Sequence, residues 1–368
     1  MKVRAAIRRM KPYAPPLEGR DPASRLLLDF NESIVPPGPA VSMALRRFIE
    51  EGRLQVYPEY GRFVEKLAGF HELEPAQLIL TNGSDQGIDI VLRALLEPGQ
   101  SIVLPEPTFA MYHQVAGTLE ARLVSPAYGE DMSYPLQAVR ETLGSADRTG
   151  IRLLVVVNPN NPTGTEIDLA DLEGLLSDFP GVAILVDEAY AEFTGHTVLP
   201  WIGRFENLAV LRTFSKAFAM PSLRLGFVAA SAVFIGELNK IRGPYDVNMM
   251  AVAAAEAQID FPEDWQAYVR EVMDISKPRV EAFLVERGVN FYPGAANFLL
   301  VRPRDLAGTM AYLKENGILV RPQKTPIGDT FRLSIGPLPV MERLMEVYGR
   351  YLEQAAGDGA ARRSDGRR

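Results

Sequence analysis

Arg212-Thr213-Phe214-Ser215-Lys216, with Arg224 eight residues beyond the lysine, sets an amine and a guanidinium just past the apolar run Leu208–Leu211. Lysine is scarce in this chain, eight in 368 residues, so one placed between a hydroxyl and an apolar run is notable. An amine there can form a Schiff base with a carbonyl, and a nearby arginine can hold a phosphate. The pair calls for a small molecule that carries both an aldehyde and a phosphate. Alone, Ser215-Lys216 reads equally as a surface lysine before a turn.

Other segments keep company with that lysine. Thr81-Asn82-Gly83-Ser84-Asp85-Gln86-Gly87 lies between an apolar run and an amphipathic stretch. Its glycines allow close backbone approach, and a helix start there offers free N–H groups to a phosphate. Ser84 or Asp85 can equally be a helix cap. Asn158-Pro159-Asn160-Asn161-Pro162-Thr163-Gly164 follows the buried-strand pattern ending at Val157, and Asn161 can offer an amide to a ligand oxygen. It also reads as a rigid loop. Val182–Val186 runs into Asp187-Glu188-Ala189-Tyr190, where an ionised Asp187 can meet a protonated ring nitrogen and Tyr190 a ring oxygen. Asp187 can alternatively cap the next helix. Phe109, after the strand ending at Leu104, can stack on a flat heterocycle or simply pack in the core. Together these residues suit a flat, phosphorylated, nitrogen-containing ring with an aldehyde, which is pyridoxal phosphate.

The elements that must position these groups alternate in type. Strands are expected at Leu78–Leu80, Ser101–Leu104, Ala121–Val124, Arg152–Val157, Val182–Val186, Leu208–Leu211 and Arg224–Ala229. Helical patterns such as Gly87–Leu96, Leu169–Leu176 and Val233–Ile241 lie between them. Nearly unbroken apolar strands joined by helices indicate an α/β fold with a mainly parallel central sheet. A long helical region from Val247 to Arg287, interrupted by Pro262 and Pro278, leads into mixed elements of a smaller α+β domain. The expected organisation is an arm over residues 1–30, a large domain over 31–257, a small domain over 258–354, and a disordered tail over 355–368. Composition is that of an ordinary globular protein, 47% hydrophobic and 23% charged. A net charge of −7 disfavours nucleic-acid binding. The absence of cysteine excludes disulfides, thiolate metal sites and cysteine nucleophiles. His71, His113 and His196 are too scattered for a metal site. With neither a secretory signal pattern nor a membrane-length apolar run, a cytoplasmic protein with no membrane partner is expected.

The chain resembles the fold-type I pyridoxal-phosphate enzymes, and among them the histidinol-phosphate aminotransferase-like branch. The likeness rests on residues 212–227, on 158–164, on Asp187-Glu188-Ala189-Tyr190, on Asn82-Gly83-Ser84-Asp85, on Val56-Tyr57-Pro58-Glu59, on 296–302 and on 331–336. It implies that Lys216 forms the Schiff base and then shuttles the proton. Asp187 would partner the ring nitrogen, Asn161 and Tyr190 the ring hydroxyl oxygen, and Phe109 the ring face. Ser84, Asp85, Ser215 and Arg224 would form the phosphate cup. Tyr57 would reach the cofactor phosphate of a neighbouring subunit, which implies a homodimer with shared sites. Arg332 would grip the substrate's acidic group, with Tyr13, Asn31 and Arg321 beside it. The implied activity is transfer of an amino group from an amino acid or amino alcohol phosphate to a keto acid such as 2-oxoglutarate. A decarboxylase resembling threonine-phosphate decarboxylase, or an aminotransferase of specialised biosynthesis acting on aromatic or other amino acids, is the alternative. Departures from the family pattern at 31–39, 57–60 and 219–222 fall in substrate-facing segments.

Overall fold

A computed structural model describes residues 1–145, 150–325 and 328–365, with side chains as far as 357. In chain order its strands are β1 Leu26–Leu28, β2 Leu78–Asn82, β3 Ser101–Val103, β4 Arg122–Val124, β5 Ile151–Val157, β6 Ala183–Asp187, β7 Leu208–Thr213, β8 Leu225–Ala230, β9 Asn290–Tyr292, β10 Phe298–Arg302, β11 Ile318–Thr325 and β12 Gly328–Ser334. Seven of these form one sheet in the order β2-β8-β7-β6-β5-β3-β4. Within it β8 runs antiparallel to both neighbours, and β7, β6, β5, β3 and β4 are mutually parallel. This is the α/β architecture expected, with each anticipated strand present and no end displaced by more than two residues.

Alternate side chains of each strand enter different cores. Leu154, Val156, Ile184, Val186 and Val210 pack on one face, and Leu153, Val155, Leu185, Ala209 and Leu211 on the other. A sheet covered on both faces has no need of polar alternation, which explains the unbroken apolar runs. The carboxyl ends of β2, β3, β5, β6 and β7 therefore converge on one edge, where the entering end of the antiparallel β8 also lies.

The second sheet has the order β1-β11-β12-β10-β9 and carries its own apolar core. Here the sequence expectations need three corrections. Residues 1–30 are not a simple arm: Ala5–Arg9 is a short helix, and β1 pairs in parallel with β11. Three consecutive leucines find an open sheet edge there, and Leu28 becomes fully buried. Pro278 does not interrupt the helical region, because it sits in the first turn of Lys277–Glu286 directly after a π-helical segment, Glu271–Ser276. The wider π turn makes room for a ring that would clash in a regular helix. The last helix, Leu338–Asp365, runs on through most of the segment expected as a tail. Ala355, Ala356, Ala360 and Ala361 favour helix strongly enough to carry it past two glycines.

Candidate active site

A cavity of about 340 Å³ opens where the carboxyl edge of the large sheet meets the small sheet and the N-terminal segment. Twelve of the fourteen site residues expected from sequence line it: Tyr13, Ser84, Asp85, Phe109, Asn161, Asp187, Tyr190, Ser215, Lys216, Arg224, Arg321 and Arg332. Asn31 stands directly behind, its Nδ2 donating to Tyr190 Oη at 2.9 Å. Tyr57 is the exception. It is 75% exposed, away from the cavity, with its ring stacked on Tyr245 at 4.4 Å.

The floor is built by strand ends. Asp187 is the last residue of β6 and is buried. Tyr112 Oη donates to Asp187 Oδ2 at 2.8 Å, and the Ala189 amide donates to Oδ1 at 3.1 Å. Burial nevertheless dominates and pushes the carboxyl up to about 6. A nearby cation would restore its charge. Asn161 Nδ2 donates to Tyr190 Oη at 3.3 Å. Lys216, three residues past β7, directs its Nζ to the Phe30 carbonyl at 2.9 Å and lies 5.7 Å from the centre of the Tyr190 ring.

One end is shaped for a phosphate. Gly83, at φ +68°, starts the helix Gly83–Leu95, which brings Ser84 and Asp85 into its first turn. Arg224 precedes β8 rather than belonging to it as expected. It takes the left-handed conformation, φ 58°, which is uncommon for a residue with a Cβ. Its Nη2 donates to Asp85 Oδ2 at 3.1 Å. A Cβ on Gly83 would lie 2.4 Å from that guanidinium, and one on Gly226 2.9 Å from the Ser84 amide nitrogen. The two glycines thus create a cradle of backbone N–H groups and one arginine, which fits a phosphate. The cradle, a buried acid on the floor and an amine in the same cavity match the three functional ends of pyridoxal phosphate.

The opposite wall comes from the small sheet and the N-terminal segment. Arg321 and Arg332 are directly opposed residues of the antiparallel pair β11–β12, so both face the cavity. Arg332 is buried and donates to Asn161 Oδ1 at 2.5 Å and to the Asp29 carbonyl at 2.8 Å, while its Nε has no partner. Burial and the neighbouring Arg321 both work against its charge. Arg321 lies 5.2 Å over the Phe30 ring. Among the described residues neither guanidinium pairs with a carboxylate. Sequence reasoning missed Tyr112, Thr108, Thr213, Phe30, Glu32 and Gln323, all at or beside the cavity. Tyr112 had no distinguishing local signal, since a tyrosine on the buried face of an amphipathic helix reads as core.

Residues 26–347 match the family model of class I and II aminotransferases. The chain is 35% identical to the histidinol-phosphate aminotransferase of Roseiflexus castenholzii, over 94% of this chain and 96% of that one. It is 33% identical to histidinol-phosphate aminotransferase 2 of Pseudomonas aeruginosa, over the same shares. Its fold is that of the histidinol-phosphate aminotransferase of Sinorhizobium meliloti, solved with pyridoxal-5'-phosphate. That likeness has a TM-score of 0.86 at 21% identity and covers 96% of this chain and 98% of that one.

Proposed function

The chain belongs to the class I and II aminotransferases, pyridoxal-phosphate enzymes of fold type I, and on that premise we propose that its amino donor is a phosphorylated amino alcohol such as histidinol phosphate, with a keto acid such as 2-oxoglutarate as acceptor. The observation that carries this reading is the Arg321–Arg332 pair. Like charges directly opposed on a sheet repel. Two of them with no carboxylate partner among the described residues form a site that an incoming dianion would complete. The relatives' names point to the same chemistry.

When bound, the cofactor supplies an aldehyde to receive amines and a ring that draws electrons from the bonds of the donor's α-carbon. The chain's own residues do the rest in this reading. Lys216 would hold the aldehyde before a donor amine is bound. Its Nζ, once free, would carry the proton removed from the donor α-carbon. Asp187 would pair with the ring nitrogen, and a positive charge there would keep the carboxylate ionised despite its burial. Asn161 and Tyr190 hold the ring oxygen, and Phe109 covers the ring face. Ser84, Asp85, Ser215 and Arg224 hold the phosphate. Tyr13 and Asn31 flank the arginines that orient the donor.

Homodimer assembly, in the cytoplasm, belongs to the same proposal. Leu54, Val56, Tyr57 and Tyr245 are exposed along one groove, an apolar surface that a second copy would cover. Tyr57 would then serve the neighbour's phosphate.

Absorbance titration of the cofactor-loaded protein with histidinol phosphate, without keto acid, tests the donor. The lysine-bound cofactor band should give way to that of the aminated cofactor. An unchanged spectrum would reject this donor, and release of carbon dioxide from a carboxylate-bearing donor such as threonine phosphate, without keto acid, would favour the decarboxylase instead.

A further inference from the structure

Arg20 lies in the N-terminal segment, outside every motif singled out from the sequence, yet its side chain is only 12% exposed. Its Nε and Nη2 each donate to an Asp29 carboxylate oxygen at 3.0 Å. Nη2 also pairs closely with Glu32. The guanidinium stacks 4.4 Å over the ring of Phe30, the residue between Asp29 and Asn31. Arg321 rests over the same ring, 5.2 Å from its centre. Arg332 donates to the backbone carbonyl of Asp29. One carboxylate therefore belongs to the residue whose carbonyl Arg332 touches, and both lie within two residues of the Phe30 ring under Arg321. Glu32 also lines the cavity.

We infer that Arg20 is a positioning residue that sequesters Asp29 and Glu32, and so leaves Arg321 and Arg332 free for the donor's anionic group. The inference rests on the reading of that arginine pair given above. Without Arg20, one buried and one half-buried carboxylate would lack a counter-charge beside two guanidiniums that lack one among the described residues. Opposite charges in a cavity of low effective dielectric find each other. The carboxylates would then compete with the donor from inside the protein. Arginine suits the task because its planar fork engages one carboxylate with two N–H groups and still reaches a second. Lysine offers a point charge without that geometry.

Calorimetric titration of the cofactor-loaded protein with inorganic phosphate tests this, with the lysine-bound cofactor band verifying that each variant is folded. R20M should weaken phosphate binding about tenfold or more, since an internal ion pair must break first. The triple variant R20M/D29N/E32Q should return to within about threefold of the unaltered protein, because the competing charges are gone. Only an electrostatic role allows that rescue. If R20M does not fold, R20K carries the test, with an expected loss of about two- to fivefold from its poorer geometry. Phosphate binding by R20M or R20K equal to that of the unaltered protein overturns the inference. So does a triple variant that keeps the cofactor band and remains as weak as R20M. Failure of the unaltered protein itself to bind phosphate removes the reading of the arginine pair, and this inference with it.

Discussion

The two walls of the cavity are assembled over very different lengths of chain. On the cofactor side, each group lies within a few residues of a strand of one sheet: Asp187 ends β6, Lys216 follows β7 and Arg224 precedes β8. On the donor side, Phe30 and Asn31 come from near the start of the chain and Arg321 and Arg332 from near its end. The Asn31 amide bonds Ser334 Oγ across 303 residues of sequence. The first wall is as rigid as a sheet packed on both faces. The second depends on the N-terminal segment docking against the small sheet. On the reading proposed above, cofactor chemistry is built into the scaffold, whereas donor recognition rests on contacts that a few substitutions can rearrange.

Three substitutions probe that difference. Lys216→Ala should remove the proton carrier of the first wall and lower kcat about 10⁴-fold or more, measured as steady-state transamination. Retention of near-native turnover would falsify the role given to this lysine. Arg332→Met should act mainly on the second wall, with the contact to Asn161 Oδ1 its one reach into the first. Its KM for histidinol phosphate should rise about a hundredfold, with the cofactor absorbance unchanged, because a buried charge-assisted contact is lost. An equal loss of cofactor would show the two walls to be energetically one. Asp187→Asn should give the smallest effect, read in cofactor-free protein by urea unfolding across pH. The folded-state value of Asp187, raised to about 6, lies above the ordinary carboxyl value. The folded chain thus holds this proton longer than the unfolded chain. Its contribution makes the cofactor-free protein lose stability as pH rises from about 4 to about 6, with no further change above. The Asn variant should lack that decline and be about 1–3 kcal/mol more stable at pH 8. A parallel pH profile in both proteins would mean that Asp187 is not the strained group.

Legibility followed the same division. The nearly unbroken runs Leu153–Val157 and Val182–Val186 suited buried strands, so the residues just beyond them were readable as edge groups. Arg321 and Arg332 were legible only through resemblance, since nothing near either residue marks it as a ligand. Tyr112 was invisible because a helix buries its aromatic residues whether or not one of them meets a carboxylate. Arg20 was hidden in a segment rich in proline and charge, and β1 was too short to announce itself as a strand.

Local periodicity indicated, by itself, the layered fold, and the residue types at strand ends marked the amine, the acid and the Gly83-Ser84 turn as edge groups. Each depends on a side chain's distance along the chain from a strand, and that distance is written in the sequence. The tertiary structure alone decided the facing of Arg321 and Arg332, the choice of Asp29 and Glu32 as partners for Arg20, and the burial that lifts Asp187. Those follow from strand register, from long-range docking and from exclusion of water, which only the packed chain can set.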